Sequence, residues 1–350
     1  MIDRVKGLSL IKSTEFGLYC ELGQFYIDPQ RPVRKALITH GHSDHARPYM
    51  GSYLTSNAGK KIIQERVGKK SKVQGLLYGK KIKINDVIVS FHPAGHILGS
   101  SQIRIEHKGY VCVVTGDYKT LSDNSCEKFE LIKCNEILSE ATFASPFYRW
   151  PDPKKVFSEI NKWWHNNSIK GITSIIFSYA LGKSQRVLCG LDPLIGPIGV
   201  HSTVDKFNVY YRSEGIHLPK TIKADRNTKS VFTGNGIIIA PPSTRNSNWI
   251  KQFKKLSLSF ASGWMFSDNA RKRKGLDAGF ALSDHADWNE IINVIRSSGA
   301  TKVGLHHGRT KILSDWIVRN LQLEVVELKS NFFYRKNIDR KQMSFIDKLI

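Results

Sequence analysis

Residues 40–45 place three histidines and one aspartate within six positions, in the order His-Gly-His-Ser-Asp-His. They directly follow an apolar run at residues 36–39, which predicts a short buried strand that opens into a loop. Neutral imidazole and carboxylate groups are the ligands of zinc in hydrolytic sites. Two such ions about 3.5–4 Å apart can clamp an in-line phosphoryl or acyl displacement. A polar loop with incidental histidines is the alternative, and ligand residues further along the chain argue against it.

Three later segments each place one more metal-ligand residue at the end of a predicted strand. They are His96 between two glycines in residues 94–100, Asp117 beside Gly116, and His307 before Gly308. Glycine lets the backbone turn tightly and approach an ion closely. Each segment is a weak signal alone, because such residues more often serve only as turn residues or caps. Together with residues 40–45 they supply the ligands that two zinc ions need when one aspartate bridges them.

The composition indicates a globular protein with a polyanionic partner. Apolar residues make up 41% of the 350 positions, which is enough for a core. Lys and Arg outnumber Asp and Glu by 53 to 30, for a net charge of +23. Such an excess favours nucleic acid as a partner, ahead of an anionic membrane surface. A general lysine bias of the source proteome is the alternative explanation of the charge.

Hydropathy and cysteine usage predict a cytoplasmic protein. No run approaches 18 consecutive apolar residues, so we expect no membrane span. The first residues lack the apolar core of a signal peptide. The five cysteines form no Cys-x-x-Cys pair and are expected to be reduced thiols, rather than a disulfide framework or a zinc finger.

The order of predicted elements indicates an α/β protein in which one domain is interrupted by another. Short strands dominate the first 140 residues, at 25–29, 35–39, 81–92, 101–107 and 110–115, with a helix at 57–67. From about residue 145 strands alternate with helices: a helix from Pro153, a strand at 174–178, a helix at 185–191, and strands at 198–201 and 237–240. Such alternation is typical of a parallel α/β insert. Residues 280–285 and 302–307 return to the pattern of a strand followed by a polar loop.

The strand-end motifs together resemble those of the metallo-β-lactamase fold, and more narrowly its nuclease branch with an inserted cap, the β-CASP family. The similarity covers about residues 20–320, and the matching positions are Asp28, residues 40–45, His96, Asp117, Glu140, residues 284–285 and His307. Within this branch the chain resembles most the bacterial ligase-associated DNA exonucleases, through residues 147–153, 179–186, 261–265 and 282–288. The resemblance implies an α/β fold with an αββα sandwich from residues 1–145 and 265–325. It also implies a β-CASP-like cap at 146–264 and a basic C-terminal tail at 326–350.

The resemblance also implies a role for each motif residue. One zinc is held by His40, His42 and His96, and the other by Asp44, His45 and His307. Asp117 bridges the two ions, and Asp28 orients a ligand or its loop. A hydroxide activated by two Zn²⁺ ions attacks phosphorus, with Mn²⁺ as a substitute in vitro. His285 protonates the leaving oxygen and Glu140 holds His285. Asp44 and Asp117 thus count among the predicted catalytic residues.

Four further residues are predicted substrate contacts. Lys183 and Arg186 flank a Gly-Lys-Ser-Gln turn after a strand, where they suit a phosphate group. The alternative is that both only cap a helix or pair with acids. Tyr118 and Ser283 adjoin the motif residues Asp117 and Asp284. Elsewhere, residues 60–83 carry nine basic residues opposed only by Glu65, and residues 271–274 are all basic. A nucleic-acid contact and a solvated face are both open explanations for the first of these stretches.

Three hypotheses of function follow. The first is a metal-dependent DNA exonuclease that works in DNA repair with a ligase and a helicase. The second is an RNA-processing nuclease of the same fold, which His307 favours, because among eukaryotic members a histidine at this motif is typical of RNA nucleases. The third is a nucleic-acid-binding relative without catalysis, which the complete ligand set disfavours. A small-molecule thioester hydrolase of this fold would need neither the charge nor the large cap.

Overall fold

The computed structural model describes residues 10–308 and 310–328. Most of the predicted basic tail, residues 329–350, lies outside the described residues. The described strands are β1 (Lys12–Thr14), β2 (Gly17–Cys20), β3 (Phe25–Ile27), β4 (Ala36–Leu37), β5 (Tyr53–Ser56), β6 (Val73–Leu76), β7 (Ile82–Ile84), β8 (Val87–Pro93), β9 (Ser101–His107), β10 (Tyr110–Val114), β11 (Glu136–Ala141), β12 (Thr173–Phe177), β13 (Ile198–Val200), β14 (Ile222–Lys223), β15 (Ile237–Ala240), β16 (Leu256–Ala261), β17 (Ala278–Phe280), β18 (Lys302–Gly308) and β19 (Glu324–Glu327).

The described α-helices are α1 (Lys60–Val67), α2 (Pro153–Ile169), α3 (Lys183–Cys189), α4 (Ser202–Ser213), α5 (Asp268–Arg273), α6 (Trp288–Ser298) and α7 (Thr310–Leu321). Local sequence sets several of their ends. In α2, Asp152 accepts a hydrogen bond from Lys154 N at 2.9 Å and Pro153 opens the first turn. In α6, Asp287 and Glu290 form a reciprocal capping box. Within the described residues no helix is long and apolar enough to cross a membrane.

The chain divides into two compact units. Of the described residues, the first unit contains 10–121, Lys128–Phe147, 286–308 and 310–328. The second contains Ser122–Glu127 and Tyr148–His285. Residues 265–285, which the resemblance placed with the first domain, thus lie in the second unit.

The first unit is built from two sheets with helices on their outer faces. One sheet runs β1 to β6 in chain order, and the other has the order β19-β18-β11-β10-β9-β8-β7. One apolar cluster joins Ile27 and Leu37 of the first sheet to Phe91 and Ile105 of the second. Because side chains alternate along a strand, Ile38 belongs to a separate cluster with α1. A third cluster packs α6 and α7 against the second sheet. The layers therefore run helix, sheet, sheet, helix.

Strand direction in the first unit gathers the predicted ligand residues. Strands β3 and β4 pair in parallel, so Asp28 and the residues after Leu37 leave the first sheet at the same edge. Strands β10, β11 and β18 are also parallel neighbours, and His306 lies opposite Glu140. Asp117 follows β10 and His307 lies near the end of β18. Each ligand-bearing loop is thus anchored by a strand rather than by a long free segment.

The second unit contains a six-stranded parallel sheet in the order β14-β13-β15-β12-β16-β17. The central strands β12 and β15 are buried along their whole length, as expected for a parallel sheet with both faces covered. Ile175, Phe177 and Ile238 contribute to its apolar core. This is the alternating α/β pattern that the sequence predicts for the region after residue 145.

Candidate metal centre

Asp28 holds the first ligand loop in place. Its carboxylate accepts hydrogen bonds from Thr39 N at 2.8 Å and from Thr39 Oγ1 at 2.6 Å. The same carboxylate lies 2.7 Å from His45 Nδ1. A proton on Nδ1 leaves Nε2 of His45 as the lone-pair nitrogen, which is the usual arrangement of a metal-binding histidine. Asp28 itself has a left-handed backbone, with φ of 44°, which is uncommon outside glycine. Asp28 is thus in contact with both Thr39 and His45, and its role of orienting a ligand stays a prediction.

The loop from residue 42 to residue 46 forms one helical turn, on which neighbouring side chains differ in their exposure to solvent. His42 O accepts hydrogen bonds from His45 N at 3.2 Å and Ala46 N at 2.8 Å. Successive side chains on such a turn diverge by about 100°. His45 is therefore buried, whereas the Asp44 side chain is 61% exposed, with Oδ2 3.8 Å from His45 Nε2. Asp44 is not among the described groups of converging ligand atoms, so its role as a ligand stays a prediction.

Glycines and short polar contacts shape the other ligand loops. Ser100 Oγ accepts hydrogen bonds from the backbone of His96 at 3.0 Å and of Ile97 at 3.2 Å, which closes the His96 loop. Gly116 has φ of 58°, and a Cβ there would lie 2.7 Å from Thr39 Cβ. Only glycine therefore lets the Asp117 loop pass so close to the first loop. His307 also has a left-handed backbone, with φ of 56°.

The first group of converging ligand atoms belongs to His40, His42, His96 and Asp117. His42 Nδ1 lies 3.1 Å from both His40 Nε2 and His96 Nε2. Asp117 Oδ2 lies 3.5 Å from His40 Nε2 and 3.8 Å from His96 Nε2. Tetrahedral zinc with bonds of about 2.0–2.1 Å needs ligand atoms about 3.3 Å apart. The spacing and donor types of this group therefore fit one metal ion.

The second group consists of His45, Asp117 and His307, so the two groups share Asp117. Asp117 Oδ2 lies 3.5 Å from His45 Nε2, and the rings of His45 and His307 stack with centroids 5.0 Å apart. His45 Nε2 is buried and has no hydrogen-bond partner among the described residues. Leaving a buried polar atom unsatisfied costs free energy, which coordination to an ion would offset. This group fits a second ion with Asp117 between the two.

The surroundings shift the pKa values of the histidines in different directions. Burial lowers the pKa of His40 well below its ordinary value, and burial also lowers the pKa of His307. At His45 burial acts in the same direction, but the carboxylates of Asp117, Asp44 and Asp28 outweigh it and raise the pKa well above its ordinary value. The same carboxylates would attract a metal cation, which competes with the proton for Nε2. The site therefore favours positive charge at its second position.

Glu140 is fully buried in β11, and both of its carboxylate oxygens accept hydrogen bonds. One accepts from Tyr118 N at 2.6 Å and the other from Thr142 Oγ1 at 2.5 Å. A Glu140 oxygen also lies within 4.8 Å of an Asp117 oxygen. The Tyr118 ring is fully buried, with its hydroxyl 3.1 Å from Ser139 Oγ. The contacts of Tyr118 are thus internal, and a contact with substrate stays a prediction.

His285 and Ser283 lie in the second unit. His285 N donates to Ser283 Oγ at 3.1 Å, and His285 O accepts from Trp150 Nε1 at 2.8 Å. His285 is partly exposed, and its Nε2 lies 3.8 Å from Asp284 Oδ1. The general-acid role of His285 and the substrate contact of Ser283 stay predictions.

Lys183 and Arg186 are buried in ion pairs within the second unit. Lys183 Nζ lies 2.7 Å from Asp284 Oδ1, and both side chains are at most 4% exposed. Arg186 Nε lies 3.0 Å from Asp123 Oδ2, and Arg186 also donates to Ser283 O. Both cations therefore have acidic partners inside the protein, which is the alternative to a phosphate contact that the sequence left open.

Sequence reasoning missed Thr39, which links three parts of the site. Besides Asp28, its hydroxyl lies 3.1 Å from His40 Nδ1 and 3.4 Å from His45 Nδ1. A β-branched residue at the end of a strand is ordinary, so Thr39 carried no signal of its own. The only hint in the sequence was that the run at residues 36–39 ends in a polar hydroxyl, directly before the first histidine.

The chain is similar to proteins whose names refer to enzymes that act on DNA or RNA. No family model matches the chain. The chain is 29% identical to a probable DNA ligase of Opitutus terrae over 294 residues, which is 83% of this chain and 28% of that protein. It is 26% identical to endoribonuclease YSH1 of Yarrowia lipolytica over 147 residues, which is 41% of this chain and 17% of that protein. The chain thus spans less than a third of the length of either relative.

A solved structure shares the fold. The crystal structure of a protein of unknown function from Enterococcus faecalis V583 superposes with a TM-score of 0.57 at 14% sequence identity. The superposition covers 79% of this chain and 76% of that one. At this identity the likeness concerns the fold alone. The mixed α/β architecture with several sheets is therefore found in a second protein. The feature that bears on chemistry is the pair of His/Asp groups that share Asp117.

Proposed function

We propose that this chain is a metal-dependent nuclease of the metallo-β-lactamase fold, in its β-CASP branch. Its first unit would be the catalytic domain and Tyr148–His285 most of the cap. The observation that carries the proposal is the convergence of two ligand groups on one shared carboxylate, that of Asp117. The helix–sheet–sheet–helix layers of the first unit and the similarity to an endoribonuclease support it.

The residues of the first unit divide the work at the proposed centre. Four ligands would hold one ion, His45 and His307 the other, and Asp117 would keep the two ions close together. Imidazole and carboxylate ligands suit Zn²⁺, with Mn²⁺ as a substitute. When bound, two such ions supply an activated water and stabilise the negative charge that develops on the phosphoryl oxygens. Asp28 fixes the tautomer of His45, and His285 is the proposed donor of a proton to the leaving oxygen.

We propose DNA as the substrate and an exonuclease reaction in DNA repair. The support is the similarity of 83% of this chain to part of a protein named as a probable DNA ligase. A ligase needs clean strand ends, and an exonuclease produces them by removing terminal nucleotides. A ligase and a helicase are accordingly the proposed partners. The net charge of +23 suits a polyanionic substrate.

RNA processing is the second candidate. The similarity to endoribonuclease YSH1 favours it, as does the histidine at position 307. Both candidates use the same metal centre, so they differ in how the sugar is recognised rather than in the chemistry at phosphorus. RNA differs from DNA by its 2′-hydroxyl, which a protein can read as donor and acceptor.

One assay separates these proposals. Purified protein with Zn²⁺ or Mn²⁺ is incubated with DNA and RNA of matched sequence, labelled at the 5′ or the 3′ end and offered as linear or circular strands. The proposed exonuclease shortens linear DNA stepwise and leaves circular DNA intact. Faster cleavage of the RNA would replace the first candidate by the second. No cleavage of either polymer by protein shown to contain metal would remove the nuclease proposal.

A further inference from the structure

We infer that α1 and the turn after it bind the phosphate backbone of a single nucleic-acid strand, with Tyr49 as a stacking platform for a base. The inference rests on the proposed nuclease function and names where its substrate runs along the first unit. The surface is defined by five exposed lysines, called here the basic ridge: Lys60, Lys61, Lys69, Lys70 and Lys72.

Packing decides that the lysines of the ridge point outward. Helix α1 buries Ile62, Ile63 and Val67, and the last two belong to the apolar cluster that faces the first sheet. The opposite side of the helix is therefore left to its charged residues. Between residues 57 and 84 the sequence has nine basic residues and one acidic residue, Glu65. This density of one sign of charge attracts a polyanion and releases its counterions on binding.

The ridge lies beside both ligand loops of the first ion. At the start of α1, a Cβ on Gly99 would come within 2.2 Å of Gly59 Cα, and Ser56 Oγ donates to Gly99 O at 2.6 Å. Gly99 is part of the His96 loop. Near the end of α1, Arg66 Nε donates to Gly41 O at 3.1 Å, between two ligand histidines. A helix of 8 residues is about 12 Å long, the axial length of about three to four nucleotides of one strand.

Tyr49 adds an exposed aromatic surface to the same unit as the ridge. Its side chain is 83% exposed and its backbone has φ of 72°, a strained conformation for a bulky residue. The conformation is imposed by the neighbouring residues. Tyr53 accepts a hydrogen bond from Met50 N at 2.9 Å and donates to Arg47 O at 3.0 Å. Met50 is buried in the same cluster as the inner face of α1, so the loop that carries Tyr49 packs against the same apolar cluster as the helix of the ridge.

Lysines and an exposed aromatic ring form the combination with which proteins hold single strands irrespective of sequence. The cations follow the backbone, while any base stacks on the ring. Strained backbone that is held by surrounding contacts is typical of functional positions. Tyr49 fits this description, because its strained backbone carries a ring that is exposed to solvent. The ridge would guide a strand along the two loops that carry His42 and His96.

Binding to a hydrolysis-resistant phosphorothioate oligonucleotide tests the inference with the metal-loaded protein. The ridge variant replaces Lys60, Lys69, Lys70 and Lys72 by Gln, and affinity is measured by fluorescence anisotropy between 50 and 300 mM salt. We expect affinity to fall at least about tenfold and the salt slope to decrease by about 0.7 for each lost contact. The matched control removes four exposed charges from the other side of the first unit, by replacing Lys133, Arg296, Lys311 and Arg319 by Gln. A control that weakens binding as much as the ridge variant would overturn the inference.

Tyr49 is tested by a conservative pair of variants. Tyr49→Ser should weaken binding about fivefold or more, because one base loses its stacking partner. Tyr49→Phe keeps the ring and should bind like the wild type. Equal affinity of Tyr49→Ser and wild type would remove Tyr49 from the strand path and leave only the lysines.

A small phosphodiester separates failure of the ridge from failure of the nuclease proposal. Bis(p-nitrophenyl) phosphate reaches the metals without needing the ridge, so wild type and ridge variant should hydrolyse it at equal rates. Wild type without this hydrolysis would contradict the proposed function. A ridge variant that hydrolyses it normally and binds the oligonucleotide like the wild type would contradict the ridge. Loss of binding to phosphatidylserine vesicles with unchanged oligonucleotide affinity would make the ridge a membrane contact instead.

Discussion

The ligand cluster around Asp117 in the first unit and the ion pairs of the second unit treat buried charge in opposite ways, while the first unit also has a buried pair of its own, Lys119 with Glu290 at 3.9 Å. In the second unit, the buried carboxylates of Asp284 and Asp123 each face a cationic side chain, at 2.7 and 3.0 Å. In the first unit, the buried carboxylate of Asp117 faces ring nitrogens of His40, His45 and His96 at 3.5–3.8 Å. A lysine or arginine beside an acid completes the charge balance with the chain's own atoms. Neutral histidines around an acid do not neutralise its charge, so a cation can still bind there.

This difference distinguishes a structural use of charge from a chemical one. Both kinds of site bury ionisable groups at a cost in solvation. In an ion pair, the attraction between the two charges offsets part of the desolvation cost when the chain folds. In a cluster of ligand nitrogens, that cost is offset only when a metal ion binds. Lys183 and Arg186 thus share their chemistry with phosphate-binding residues, and their buried acidic partners favour a structural use of their charge, while a contact with substrate stays a prediction.

Asp117→Asn should show the largest effect, since the shared carboxylate serves both ligand groups. We expect activity to fall about a thousandfold or more, because metals contribute several kcal/mol to transition-state stabilisation. Bound metal, measured by mass spectrometry, should also decrease. The matched variant in the second unit is Asp123→Asn, which breaks an ion pair. It should lower stability and leave the metal content unchanged. Equal metal loss in both variants would contradict the comparison.

His285→Ala separates the chemistry from the binding of metal. A general acid contributes about a hundredfold to ten-thousandfold, so activity should fall by an amount in that range. The metal content should stay near that of the wild type, because a general acid is not a ligand. If His285→Ala loses an ion, the roles of His285 and His307 have been wrongly assigned.

Lys183→Met should destabilise the protein without affecting the metal centre. The change leaves Asp284 buried without its cation, which typically costs about 3–5 kcal/mol in the free energy of unfolding. Urea unfolding of wild type and variant measures the cost. Lys155→Met, at an exposed position of α2, should change stability by less than about 0.5 kcal/mol. An unchanged stability of Lys183→Met, with weaker binding of nucleic acid, would return Lys183 to the substrate path.

Asp28→Ala tests how much the contacts that hold His45 in place contribute to metal affinity. The variant loses the contacts with Thr39 N, Thr39 Oγ1 and His45 Nδ1. Removing such outer contacts typically costs tenfold to a hundredfold in metal affinity or activity. Titration with a fluorescent zinc chelator measures the affinity. Thr39→Val removes only one of the contacts and should fall between Asp28→Ala and wild type. An effect of Thr39→Val larger than that of Asp28→Ala would mean that the hydroxyl acts independently.

The pH dependence of the metal-free protein should show the smallest effect. His45 has a raised pKa, so the folded chain keeps a proton that the unfolded chain loses near its ordinary pKa of about 6.5. The stabilisation is fully present below that pH and disappears as pH rises through the raised pKa. The difference in unfolding free energy between wild type and His45→Gln should therefore shrink from pH 6 to pH 9 without metal. A difference that grows over this range would reverse the assigned protonation.

The strands and helices with clear patterns could be predicted from the sequence. Strand β9 has the predicted bounds, 101–107, and β10 ends one residue before its predicted end. Helix α2 begins at Pro153 as expected, because proline suits the first turn and Asp152 caps it. Strand β6, with the sequence Val-Gln-Gly-Leu, was missed. Its glycine and short length hide the alternation, and pairing with β5 supplies the stabilisation that local propensity does not.

The candidate site was predictable in its ligand types and less so in its geometry. Strand-end motifs identified the residues of both converging groups, since parallel strands bring their ends to one edge. The solvent exposure of Asp44 beside the buried His45 depends on a helical turn after His42, which spacing alone does not reveal. The pairing of Lys183 with Asp284 joins positions about a hundred residues apart. Such contacts depend on the tertiary fold, so isolated basic residues could not be assigned to structure or substrate in advance.

The close contact of Gly59 with Gly99 has a consequence for how this protein can change over generations of mutation. A Cβ at Gly99 would lie 2.2 Å from Gly59 Cα and force apart the helix and the loop that positions His96, so position 99 is closed to any residue but glycine. The lysines of the same helix, Lys60 and Lys61, are exposed on its outer side. Substitutions there could adjust how firmly a strand is held while the metal ligands stay in place. Substitutions on one short helix can thus change the affinity for nucleic acid, by selection or by design, without changing the residues of the chemical step.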